Sequence, residues 1–147
     1  MSANFSRIPA AAAALLLTFF LVPAAFGQAA QFQLLADVPF DFHISGKLLP
    51  AGTYRITPLG AHSVIVVAME PAGPHAAALT NPSGGGAVHD RSELIFNRYG
   101  SQYFLRQVWR AGVDTGRDLP ASRPEREVMF RAADTSERVY VAARDTR

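Results

Sequence analysis

The residues best suited to chemistry lie in one short stretch, in which aromatic rings alternate with arginines: Arg98, Tyr99, Tyr103, Arg106, Trp109 and Arg110. Aromatic faces with guanidinium edges suit sugars, aryl compounds or nucleotides, because rings stack on flat ligands and Arg makes bidentate contacts. Tyr, Trp and Arg also dominate binding hot spots. We therefore predict a ligand-binding role for Arg98, Tyr99, Tyr103 and Trp109. The alternative is that these rings fill the core, which predicts that at least one of the two tyrosines is more than half buried.

The other reactive residue types form no catalytic or metal-binding pattern. The four histidines are too far apart in sequence for a metal-ligand motif: His43, His62, His75 and His89. Ser83 lies in Pro-Ser-Gly, not in a nucleophile elbow, and a triad of Ser83 or Ser92 with His89 and Asp90 would use sequence neighbours, which rarely reach that geometry. With no cysteine, thiolate catalysis and Cys-ligated zinc are excluded. We predict no catalytic residues, no metal and no cofactor.

The size and charge of the chain limit its function further. Its 147 residues are too few for a barrel-type metabolic enzyme or for a dinucleotide-binding fold with a substrate domain. A hydrophobic content of 49% argues against disorder. The net charge of +2 gives no reason to expect a nucleic-acid partner. Charge is uneven, however, since residues 91–147 hold eleven arginines against eight acidic residues.

Residues 1–27 have the three regions of a secretory signal peptide. Arg7 supplies the positive start, residues 10–22 form an apolar run, and Ala25 and Gly27 put small residues at positions −3 and −1. The apolar run is shorter than the roughly 20 residues that span a bilayer. We therefore predict a signal peptide at residues 1–27, a single β-rich domain at residues 28–147, no membrane span after cleavage, and a secreted or periplasmic location.

The mature chain is predicted to consist of short strands between Gly and Pro turns. Strands are predicted from period-two alternation or β-branched content at residues 38–44, 53–57, 63–69, 75–80 and 137–143. The nearly all-apolar run 63–69 predicts a central strand that is covered on both faces. Residues 81–86 and 111–121, rich in Gly, Pro and polar residues, are predicted to be loops.

A hairpin and a helix give the clearest local signals. Residues 93–99 and 102–110 flank Gly100-Ser101, which suits a type II′ turn. In that register Phe96 faces Leu105 and Leu94 faces Gln107, while Trp109 lies on the Leu105 face. Ser122 and Glu125 form a capping box, which predicts one short helix over residues 123–133.

Two groups of residues form longer motifs. The first is Val38-Pro39-Phe40-Asp41-Phe42, then Gly46-Lys47, Leu49-Pro50-Ala51-Gly52 and Tyr54. The second is Phe96-Asn97-Arg98-Tyr99-Gly100, then Tyr103-Phe104-Leu105, Val108-Trp109, Gly116-Arg117-Asp118-Leu119-Pro120, Ser122 and Glu125-Arg126-Glu127. Together they resemble a family of small secreted bacterial proteins of unassigned function. The resemblance covers most of residues 35–130 and implies a signal peptide and a compact β-rich domain, with no established activity.

These observations predict an all-β, mainly antiparallel fold: a β-sandwich or closed β-barrel of seven or eight strands with one short helix. For function we expect a non-enzymatic extracytoplasmic domain that binds a ligand, a surface polymer or a partner protein. The alternative is a small secreted hydrolase, which the acid pairs Asp37/Asp41 and Glu125/Glu127 leave open.

Overall fold

The structure is a computed structural model that describes residues 32–60, 62–70, 72–84, 86, 88–132 and 136–146. The predicted signal peptide lies outside these residues, so it stays a prediction. Within the described ranges, no helix is both long enough and apolar enough to cross a membrane.

The fold is all-β with one short helix, as predicted, but it has more strands than the seven or eight expected. The eleven strands among the described residues are β1 Gln33–Val38, β2 Phe42–Ile44, β3 Lys47–Leu49, β4 Gly52–Pro58, β5 Ser63–Ala68, β6 His75–Leu79, β7 Asn81–Gly84, β8 Glu93–Tyr99, β9 Gln102–Trp109, β10 Thr115–Asp118 and β11 Glu137–Thr146. The helix α1 spans Arg123–Arg131.

The strands that were not predicted lie in segments whose own composition does not indicate pairing with another strand. The predicted strand 38–44 is interrupted after Val38, because Pro39 has no amide hydrogen for a ladder. Residues 81–84 and 115–118, both predicted as loops, pair with each other as β7 and β10. Their Gly and Pro content correctly indicated exposure. The sequence of either segment alone, however, does not show that it pairs with a segment so far along the chain.

The strands form one mainly antiparallel sheet, as predicted. Its order is β3-β2-β9-β8-β11-β1-β4-β5-β6, with β10 pairing to both β9 and β7. The pairing of β2 with β9 is parallel. The long strand β11 connects two halves of the sheet, since its first part pairs with β8 and its last part with β1.

The two halves share a single hydrophobic core. Alternation in β4 buries Tyr54 and Ile56, and the ring of Tyr54 meets Phe42 of β2 edge-on at a centroid distance of 5.2 Å. Since β2 and β4 are not neighbours in the sheet, it curves back on itself. At the two ends of the strand order, Lys47 Nζ of β3 donates a hydrogen bond to the carbonyl of His75 in β6 at 2.7 Å.

The hairpin between β8 and β9 has the predicted turn, because Gly100 has φ +60° and Ser101 does not have a positive φ. Phe96 pairs with Leu105, as predicted. Leu94 pairs with Val108 instead of Gln107, because a bulge places one extra residue, Arg106, in β9.

The bulge exchanges the two faces of β9 beyond Leu105. Val108 therefore joins the core beside Leu94. Trp109, predicted on the core face with Leu105, lies on the opposite face of the hairpin.

The helix α1 begins as predicted and ends slightly earlier. The Ser122 side chain accepts a hydrogen bond from the backbone N–H of Glu125, and α1 ends at Arg131. Glu125, at the N3 position, is only 2% exposed. The capping box therefore also anchors the first turn of the helix in the interior.

One side of the sheet is open to solvent. β5 lies between β4 and β6, but Val67 is 40% exposed, so the prediction of a strand covered on both faces is wrong at this residue. The side chains on this side come from every second residue of β11, β1, β4, β5 and β6. We call this side the open face.

Candidate functional site

The four residues predicted to bind a ligand do not share one surface. Tyr99 and Trp109 are buried, with 5% and 7% of their area exposed, and lie on the side of the hairpin away from the main core. Tyr103 is half-buried against the core, where it stacks on Phe40 at 3.8 Å. The burial of Tyr99 confirms that at least one of the two tyrosines is more than half buried.

Arg98 has partners within the fold. Its Nη1 lies 3.2 Å from Glu137 Oε2, and its Nε donates to the Gly100 carbonyl at 2.8 Å. Its guanidinium carbon lies 5.6 Å from the centroid of the Tyr103 ring. The contacts of this arginine therefore brace the turn end of the hairpin.

Trp109 is enclosed by neighbours from two other segments. His89 stacks on the indole at 3.9 Å, and the indole Nε1 donates to Gln107 Oε1 at 3.1 Å. Gly116 of β10 lies so close that a Cβ there would be 2.6 Å from the ring. Trp109 therefore requires a residue without a side chain at position 116.

A buried polar network holds α1 on the sheet. Arg106 Nη1 and Nη2 lie 3.7 Å from Glu125 and Asp118 respectively. Asn97 Nδ2 is 3.5 Å from Glu125 Oε1 and 3.3 Å from the Tyr99 hydroxyl. Burial raises the pKa of Glu125, whereas Arg106, Asn97 and the Ser122 backbone oppose the rise. The bulge at Arg106 thus turns its side chain towards two acids.

Residues of the first motif also have structural roles. Asp41 Oδ1 accepts a hydrogen bond from the Ala51 backbone N–H at 2.8 Å, and the Tyr54 hydroxyl donates to the Pro50 carbonyl at 2.6 Å. The stacking of Phe40 on Tyr103 connects the first motif to the second. Much of both motifs is therefore explained by folding.

Three of the residues considered for chemistry, Ser92, His89 and His43, make contacts within the fold. Ser92 is buried, and its Oγ accepts a hydrogen bond from the Ala111 backbone. His89 Nδ1 lies 3.1 Å from Glu93 Oε1. His43 stacks on Phe104, and burial lowers its pKa. Among the described residues, no group of three or more His, Asp or Glu side chains could hold a metal ion.

Two shallow cavities lie away from the predicted cluster. One, of about 380 Å³, is bordered by Phe32, Arg110 and Gly116, and the other, of about 320 Å³, by Pro50 and Glu70. Arg110 in the first is already bound to Asp145 at 2.6 Å and lies over the Phe32 ring. None of the four predicted ligand-binding residues borders either cavity.

The open face carries a second group of arginines around an exposed tyrosine. Alternation in β11 turns Val139, Val141 and Ala143 towards the core. The opposite side of the strand is exposed and presents Arg138, Tyr140, Ala142 and Arg144. Arg144 pairs with Leu35 of β1, which pairs with Arg55 of β4. We call the set Arg138, Tyr140, Ala142, Arg144 and Arg55 the arginine–tyrosine face.

The charges on this face are poorly compensated. Arg144 makes one ion pair, with Asp37 at 3.7 Å, and both side chains are largely exposed. Within the described part of the chain, neither Arg55 nor Arg138 makes an ion pair. Tyr140 is 57% exposed. Side chains on one face of a strand are about 7 Å apart, and strands two apart are roughly 10 Å apart, so these groups form a continuous patch.

Sequence reasoning missed this patch although part of the signal was available. The alternation of Val139 and Val141 already placed Arg138 and Tyr140 on one side of a predicted strand. It could not show that this side faces solvent, nor that Arg144 and Arg55 lie on the same side two strands apart, because both depend on the pairing of β11, β1 and β4.

Comparisons with protein-family models, with curated proteins and with solved structures found no match to this chain.

Proposed function

We propose that the mature chain is a secreted or periplasmic, non-enzymatic β-domain that binds an anionic surface polymer on its arginine–tyrosine face. The observation that carries the proposal is the exposure of three arginines on one side of the sheet, for which Asp37 is the one ion-pair partner among the described residues. Guanidinium groups bind carboxylate, sulfate and phosphate groups through bidentate hydrogen bonds. An extended row of such groups favours a chain-like ligand over a small one.

The proposal includes the architecture and the family that the sequence suggested. We propose a β-sandwich, in which the β2–β9–β8 half of the sheet lies over the β1–β4–β5 half, with the Phe42–Tyr54 contact between them as support. The proposed family membership rests on the two sequence motifs, which the stacking of Phe40 on Tyr103 brings into contact. Export by the signal peptide would place the open face in contact with cell-surface or extracellular polymers.

The ligand-binding role of Arg98, Tyr99, Tyr103 and Trp109 stays a prediction. The burial of Tyr99 and Trp109 supports their structural role, so the proposal places the polymer on β11. The non-enzymatic character is supported by the contacts of Ser92 and His89, which engage backbone, Glu93 and Trp109.

The test compares a charged with an uncharged polymer. We expect the mature protein to bind immobilised dextran sulfate, with affinity that falls as salt increases, and not to bind neutral dextran. Arg138→Gln combined with Arg144→Gln should weaken binding about tenfold, because each exposed charge contact contributes up to ~1 kcal/mol. Biolayer interferometry at two salt concentrations gives the measurement.

The matched control removes the same charge elsewhere. Arg123→Gln with Arg126→Gln changes two exposed arginines of α1, outside this face, and should leave affinity nearly unchanged. Asp37→Asn should strengthen binding, since it frees Arg144 from its carboxylate. Equal loss in both double variants would show that binding follows net charge, and absence of binding to dextran sulfate would also refute the proposal.

A further inference from the structure

Tyr140 gives the arginine–tyrosine face a feature that charge alone does not require. Its ring lies two residues from Arg138 along β11 and is 57% exposed, with no aromatic partner among the described residues. Exposed tyrosine rings leave an apolar surface in water, which a flat apolar partner would cover. The face therefore presents a stacking surface beside a cation.

The next position on the same face leaves room beside this ring. Ala142 lies between Tyr140 and Arg144 and extends only a methyl group from the strand. A ligand ring could therefore lie next to Tyr140 while its charged groups reach arginines on either side. Along β11 the order of the exposed residues is a cation, an aromatic ring, a small residue and a second cation. This order suits a polymer that has rings as well as anionic groups.

The class of polymer follows from the need to contact both the exposed ring of Tyr140 and the arginines. A sugar ring presents a face of C–H groups that packs on an aromatic ring, and the carboxylate of a uronic acid makes bidentate hydrogen bonds with Arg. A polyphosphate or a simple polycarboxylate satisfies the arginines but has no apolar face that could pack on the ring of Tyr140. The half-buried Leu35, between Arg144 and Arg55, extends the apolar surface for a sugar chain that crosses to β4.

We infer that the polymer bound on the arginine–tyrosine face is an acidic polysaccharide, with sugar rings stacked on Tyr140 and carboxylates on Arg138 and Arg144. This inference rests on the proposed function and names the ligand class of the same site. It makes Tyr140 the residue that distinguishes an acidic polysaccharide from other polyanions, whereas the arginines supply affinity for any of them.

Two polymers with the same charged group separate the two roles. Polygalacturonate carries carboxylates on sugar rings, and polyacrylate carries carboxylates on a chain without rings. We expect Tyr140→Leu to weaken binding of polygalacturonate about fivefold, the size of one aromatic stacking contact, and to leave binding of polyacrylate unchanged. Tyr140→Phe, which keeps the ring, should bind both polymers as the unmodified protein does. The melting temperature of each variant reports whether it folds.

The other outcomes contradict either the polysaccharide inference alone or the proposed function as well. If Tyr140→Leu affects neither polymer, or both equally, the polysaccharide inference fails, while binding of polyacrylate through Arg138 and Arg144 would keep the proposed function. If the unmodified protein binds neither polymer, the proposed function and this inference fail together.

Discussion

At the scale of single residues, Glu125 shows how one buried carboxylate connects the helix to the sheet. Glu125 is 2% exposed, and its carboxylate lies 3.7 Å from the guanidinium of Arg106. Arg106 is the residue that forms the bulge in β9. The contact is long for an ion pair, so the arginine offsets only part of the cost of removing a carboxylate from water. As a result, burial raises the pKa of Glu125 in spite of its partners.

This raised pKa predicts a pH dependence of stability. Between the usual pKa of 4.5 and the raised pKa, the folded chain binds more proton at Glu125 than the unfolded chain does, so the contribution of Glu125 to the free energy of unfolding falls as pH rises through that range. Glu125→Gln, which stays uncharged, should therefore gain stability relative to the unmodified protein as pH rises above 4.5. Urea denaturation across this range measures the difference.

The comparison needs a carboxylate that does not enter the interior. Glu127 lies on the same helix with 53% of its side chain exposed, so Glu127→Gln serves as the control for removing an acidic residue from α1. A difference between Glu125→Gln and the unmodified protein that is constant with pH would contradict the prediction, because it would mean that folding does not change the pKa of Glu125.

At the scale of elements, the β8–β9 hairpin depends on the conformation of one glycine. Gly100 has φ +60°, and nothing lies within 4 Å of a Cβ placed there. A substitution would therefore be penalised by the backbone alone. Gly100→Val should reduce the free energy of unfolding by about 1–3 kcal/mol, the cost of a β-branched residue at positive φ.

The neighbouring position provides the control for this prediction. Ser101→Val introduces the same side chain at a residue of the turn without positive φ, and it should have a much smaller effect. Urea titration of the two variants gives the comparison. If both lose the same stability, the strain is not in the conformation of Gly100.

At the scale of the whole molecule, the proposed function requires export. The order of charged, apolar and small residues in the first 27 positions predicts cleavage after Gly27. The intact mass of the exported protein should correspond to a chain that begins at Gln28, or within about two residues of it. Recovery of a cytosolic protein that begins at Met1 or Ser2 would contradict export and, with it, contact with a surface polymer.

Sequence alone determined the features that depend on neighbours along the chain. Alternation gave the burial of Tyr54 and Ile56, the Gly100-Ser101 pair gave the turn, and Ser122 with Glu125 gave the start of α1. These features follow from local backbone geometry and from the period of the apolar residues. The same local evidence could not assign the aromatic residues around Tyr99 to a ligand or to the interior.

Only the tertiary structure decided the features that depend on strand pairing. The bulge at Arg106 moved Trp109 to the other face of the hairpin, and the side chain of Arg106 contacts acids of β10 and α1. The pairing of β11 with β1, and of β1 with β4, placed Arg55 and Arg144 on the same open face, on either side of Leu35. A strand's sequence shows which residues share a side, but the solvent exposure of that side, and therefore the candidate site, depends on which distant strands and helix pack against it.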